Sequence, residues 1–150
     1  MNDIKNLINY TRTFLIFTVA TAVLLISAPN AFANDETELI KAAFSGKPET
    51  IKQLLEKGIN VNYQNDKGFS ALIIASQYGH ADIVSLLLEN NADVDLQNAG
   101  GATALIIAAK NSHTDVVNSL LAKGAKVDAQ TTDGITALML ATQKGHEGIV

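Results

Sequence analysis

Residues 65–97 and 98–130 align at an offset of 33, and 16 of the 33 positions are identical. Identity at about half of a full period means that one structural unit is used again. The apolar phrases Ser70–Ser76 (SALIIAS), Thr103–Ala109 (TALIIAA) and Thr136–Thr142 (TALMLAT) keep the same register. Residues 131–150 continue it, and residues 32–64 fit it more loosely. A unit this short cannot bury a core alone, so its copies must stack and share one.

Each unit reads as two helices and a loop. Ser70, Thr103 and Thr136 stand just before the apolar runs, where a hydroxyl can cap a helix. The first helix is expected to reach Tyr78, Asn111 and Lys144, with turns at Gly79, Ser112 and Gly145. The second starts near Ala81 and Thr114. Asp82 and Asp115 then fall in its first turn, at the positive end of the dipole. Ile83, Val84, Leu87 and Leu88, then Val116, Val117, Leu120 and Leu121, form one buried stripe per copy. Gly58, Asn91 and Gly124 suit the left-handed residue that ends a helix. Ala75, Ala108 and Ala141 allow the first helices to approach closely.

The unit resembles the ankyrin repeat, whose first helix carries Thr-Pro-Leu-His-x-Ala within a 33-residue period. "GFSALIIASQYGHADIVSLLLENNADVDLQ" and "GATALIIAAKNSHTDVVNSLLAKGAKVDAQ" match it along most of their length. The resemblance covers Asp35 to the end. It implies an all-α solenoid of stacked helix-turn-helix units joined by hairpin-like loops. The expected copies are a capping repeat at 34–64, full repeats at 65–97 and 98–130, and an incomplete one at 131–150. Two departures stand out. Ala71, Ala104 and Ala137 replace the family's Pro, and Ile73, Ile106 and Met139 replace its His, which leaves packing to compensate.

The two ends read differently. Residues 1–33 run from a basic start (Lys5, Arg12) through 13 apolar or Thr residues, Phe14–Ile26, to Ala31 and Ala33. That order is a secretory signal peptide, with cleavage expected after Ala33. The alternative is an uncleaved anchor, for which the apolar core falls short of the roughly 20 residues of a span. The Ala-x-Ala style suits bacterial export, so a periplasmic or secreted protein is expected, with no membrane association after cleavage. Glu38 and Lys41 stand where later copies have Ala71 and Ile74, as an end repeat requires. The fourth copy stops at Val150, 13 residues short of its period. A truncated chain is expected, with self-association through the open last repeat as the alternative.

Composition removes most chemistry. The net charge of −4 argues against sequence-independent nucleic-acid binding. The chain has no cysteine, which excludes disulfides, thiol catalysis, zinc–thiolate sites and a lipoprotein anchor. His80, His113 and His146 occupy one repeat position. Spaced about 10 Å apart they cannot share a metal, so each is expected to bond nearby backbone. Asp93, Asp95 and Asp128 read as turn formers. No calcium loop, phosphate loop or nucleophile elbow occurs, so no enzyme activity, metal or cofactor is expected.

What remains is surface. By resemblance, partners are expected at the loop tips and the exposed side of each first helix. The matching tip residues are Asp66, Lys67, Phe69, Ala99, Gly100, Ala102, Thr132, Asp133 and Ile135. The matching helix residues are Gln77, Tyr78, Lys110, Asn111, Gln143 and Lys144. Phe69 and Tyr78 draw attention as aromatics, although Phe69 also suits a local prop between repeats. The expected function is a non-catalytic protein-binding module in the cell envelope. An immunity-like inhibitor of a toxin, an effector acting on a host protein, and the targeting arm of a longer enzyme are the alternatives.

Overall fold

The computed structural model describes residues 29–145 of the chain. Most of the segment read as an export signal, together with His146, lies outside them. The chain divides after Asn34 into two units, and the repeat stack belongs to the second, Asp35–Val150. Seven helices follow one another among the described residues. They are α1 (Pro29–Phe44), α2 (Pro48–Glu56), α3 (Ala71–Tyr78), α4 (Ala81–Glu89), α5 (Ala104–Lys110), α6 (Thr114–Ala122) and α7 (Ala137–Lys144). The fold is the expected all-α solenoid of stacked helix pairs. A single antiparallel bridge, Gln64 to Ser70, stands apart from any strand among the described residues.

The expected caps start α3, α5 and α7. The hydroxyls of Ser70, Thr103 and Thr136 each accept from the amide three residues on, at 3.3 Å, in extended backbone conformation. Ser70 and Thr103 are fully buried, so water cannot replace the bond. Thr103→Ala is therefore expected to cost about 1 kcal/mol. Thr103→Ser should keep nearly all of that, because Ser70 does the same work one repeat earlier. Urea midpoints of the two variants measure the difference. Helix α5 ends at Lys110, one residue earlier than expected, and Asn111 becomes its C-terminal cap. Asn91 and Ser112 hold left-handed backbone without being glycine, at φ 63° and 64°.

Two layers result. Helices α3, α5 and α7 pack side by side, helices α2, α4 and α6 form the second layer, and α3 packs on α4 and α5 on α6 across the layers. Ala75, Ala108 and Ala141 are completely buried where the first layer closes up. Ile73 and Ile106 are buried too, so apolar packing fills the position of the family's histidine in those two copies, whereas Met139 in the last copy is exposed. In the second layer Ile83, Val84, Leu87 and Leu88 all face inward, as do Val116, Val117 and Leu120. Leu121 does not follow this pattern. The stripe reading expected it buried, yet it is 40% exposed. Its period mate Leu88 lies under the next repeat, whereas Leu121 has no such cover among the described residues. At the other end Glu38 and Lys41 are exposed and pair at 3.4 Å, which gives the first helix a polar outer face.

One buried group is unsatisfied. The Ser76 hydroxyl has no hydrogen-bond partner, although the residue is entirely buried. Its period mates Ala43 and Ala109 fill the same place without a polar atom. A buried, unpaired hydroxyl costs about 1–3 kcal/mol of desolvation. Ser76→Ala is expected to raise stability by about 1 kcal/mol, read as an upward shift of the thermal midpoint. A lower midpoint would mean that the hydroxyl is satisfied in solution.

Candidate protein-binding surface

The loop tips are built by one local rule. Asn65 Oδ1 accepts from the amides of Lys67 and Phe69, both at 3.0 Å, and Gly68 N closes the turn onto Asn65 O. Asn98 does the same for Gly100 and Ala102, at 2.9 and 3.0 Å. In the third tip Thr131 Oγ1 accepts from Ile135 N. These Asx- and Thr-stabilised turns fold each tip on its own sequence. Gly68 and Gly101 take φ of 75° and 76°, and the following tip lies directly against each. A Cβ on Gly68 would meet Ala99 N at 2.8 Å, and one on Gly101 would meet Thr132 N at 2.8 Å.

The tips are also tied to one another. Ala99 N donates to Lys67 O at 3.1 Å, and Thr132 N to Gly100 O at 3.0 Å. The Gln64 amide donates to Gln97 O, and the Gln97 amide to Gln130 O, each 33 residues on. Asn62 Oδ1 accepts from Asp93 N at 2.8 Å, and its period mate Asp95 accepts from Lys126 N at 2.9 Å. Asp93 Oδ1 in turn accepts from Asp95 N, the turn-forming role expected of it. Binding to such a surface orders little backbone, because the repeats already fix each other. Sequence reading missed this ladder of amides. The signal was present, since Gln64, Gln97 and Gln130 recur at the period.

The histidines do structural work where they are described. His113 Nε2 lies 3.1 Å from Gln77 O of the preceding repeat, and its ring packs over Gly79. His80 covers Gly46 in the same way and stacks near Tyr78. No group of three His, Asp or Glu side chains among the described residues could hold a metal.

The expected contact residues separate into three sets. Asp66, Lys67, Thr132, Asp133, Lys110, Asn111 and Gln143 are exposed, and so is Tyr78. Phe69, Gln77 and Ile135 are half-buried. Phe69 packs against the core, so it acts as the prop between repeats at least as much as a free contact. Gln77 accepts through its carbonyl from both His113 and Asn111. Ala102 is a correction. It is only 8% exposed because the chain turns it inward just before the Thr103 cap, so it cannot meet a partner. The Lys144 side chain lies outside the described residues.

One surface residue was overlooked. Phe44, the period mate of Gln77, is 55% exposed at the end of α1. Its ring meets that of Tyr78 edge-on, with centroids 4.9 Å apart and planes at 80°. Tyr78 thus has two ring neighbours, Phe44 edge-on and His80 stacked 6.3 Å away. The looser register of the first repeat hid Phe44 from a reading based on repeat positions.

Stacked helix pairs, hydrogen-bonded tips and exposed ends of the first helices define a non-catalytic repeat scaffold of the kind that binds other proteins. A family model for ankyrin repeats, three copies, matches residues 16–98 and 91–150. The chain belongs to the ankyrin repeat family. The match begins inside the stretch read as an export signal. No curated protein gives a significant match to the chain.

Proposed function

We propose that the protein is exported to the cell envelope and binds another protein there through its loop tips and the exposed ends of its first helices. The observation that carries this reading is the contrast within the tips. Their backbones are tied into turns, and the first two are bonded to the next tip, while the side chains of Asp66, Lys67 and Asp133 are exposed. Export is supported by the basic start, the short apolar core and the Ala31 and Ala33 pair.

Affinity capture from an envelope fraction tests the reading, with Tyr78→Ala, Lys67→Glu as the paired control. A single protein retained by the wild type and lost with the control supports it. The identity of that protein also distinguishes a toxin, a host protein and an envelope enzyme as the client. Equal retention by both proteins moves the interface elsewhere.

Self-association is a second reading, favoured by one observation. Leu121, Val127 and Leu138 are exposed, and with Leu105, Val117 and Ala137 they line a groove of about 200 Å³. Sedimentation velocity decides it. A dimer that becomes a monomer with Leu138→Asp supports pairing through this face, and a monomeric wild type rules it out.

A further inference from the structure

Beyond the first repeat, charge is segregated between the two helix layers, whereas α1 carries Asp35, Glu36 and Glu38 ahead of its last turn. The sequences of α3, α5 and α7 contain no acidic residue, although the chain as a whole is acidic. The layer of α2, α4 and α6 carries Glu49, Glu56, Asp82, Glu89 and Asp115 against Lys52. The last turns of α1, α3 and α5 form a strip that itself carries no acidic residue, with Asp82 and Asp115 beginning the second helices just beyond it. It runs from Phe44 and Tyr78 to Lys110 and Asn111. Lys110 is exposed and makes no ion pair among the described residues. Phe44 and Tyr78 are both exposed, and they hold each other edge-on. An aromatic already fixed by its neighbours loses little freedom on binding.

We propose that this strip docks an extended acidic segment of a partner protein. An apolar side chain of that segment seats against Phe44 and Tyr78, and a carboxylate reaches Lys110. The inference rests on the protein-binding reading and specifies its partner. Its geometry sets a spacing. Tyr78 and Lys110 belong to adjacent repeats, about 10 Å apart, which an extended chain crosses in about three residues. The carboxylate should therefore stand about three residues from the apolar anchor. A basic segment would lose the Lys110 contact, and a purely acidic one would leave the aromatic pair unused.

Selection from a random peptide library against the full chain tests this, followed by titration of a synthetic consensus peptide. The expected consensus pairs an aromatic or aliphatic residue with Asp or Glu at that spacing. Its affinity should fall at least about tenfold with Tyr78→Ala and with Lys110→Glu, and stay unchanged with Tyr78→Phe and with Lys123→Glu on the second-helix side. Matching circular dichroism among the variants shows that folding is intact. A basic consensus, or one indifferent to Tyr78 and Lys110, overturns the inference. If such peptides are lost with Lys67→Glu or Asp133→Lys instead, protein binding stands and only this strip fails. If no sequence is enriched, the strip fails as a peptide dock. An empty envelope capture alongside it removes the binding reading as well.

Discussion

Gly68→Ala is expected to lower stability by about 2–4 kcal/mol, whereas Gly124→Ala should cost only about 1 kcal/mol. Both glycines hold left-handed backbone, at φ 75° and 82°, so the conformational cost of adding a Cβ is nearly the same. They differ in what the Cβ meets. At Gly124 nothing lies within 4 Å. At Gly68 the new atom meets Ala99 N at 2.8 Å and Asn98 Cα at 2.9 Å, both backbone of the next tip. Backbone cannot rotate away as a side chain can, so the tips must part. The bond from Ala99 N to Lys67 O goes with them. Denaturant titration of the two variants reads the difference. Equal losses would mean that the tips do not stack in solution as described.

Leu87→Ala is expected to cost about 3 kcal/mol or more, through lost burial and the cavity left behind. Leu87 is wholly buried in α4, which packs on α2, α3 and α6. In a linear stack each repeat is stabilised mainly by its neighbours, so damage in the middle weakens both interfaces at once. The unfolding curve should broaden as well as shift, because the two halves lose their coupling. Leu121→Ala removes the same atoms from a side chain that is 40% exposed, and about 1 kcal/mol or less is expected. Similar losses for the two leucines would argue against the stacking order described for the second layer.

The repeat made most of the fold legible, and the reasons lie in particular residues. Ser70, Thr103 and Thr136 announce helix starts because a capping hydroxyl has one local job. Ile83, Val84, Leu87 and Leu88 announce a buried face by spacing alone. Leu121 has the same spacing and a different fate, since burial depends on the neighbouring copy and not on the helix that carries the residue. Ala102 was misplaced for a related reason. Its alignment puts it on the tip, but the turn fixed by Asn98 rotates it toward the core. Phe44 was missed because its importance arises only when α1 brings it beside Tyr78, 34 positions later. Contacts across repeats are the part that period and pattern do not carry.

Amide hydrogen exchange on the protein, alone and with any protein that the affinity capture identifies, tests the central claim most directly. The account predicts new protection at the tips, Asp66–Phe69 and Thr132–Ile135, and at the ends of α3 and α5 around Tyr78 and Lys110. Exchange in α2, α4 and α6 should stay unchanged. Protection confined to the second-helix layer, with the tips and Tyr78 exchanging as before, would contradict it.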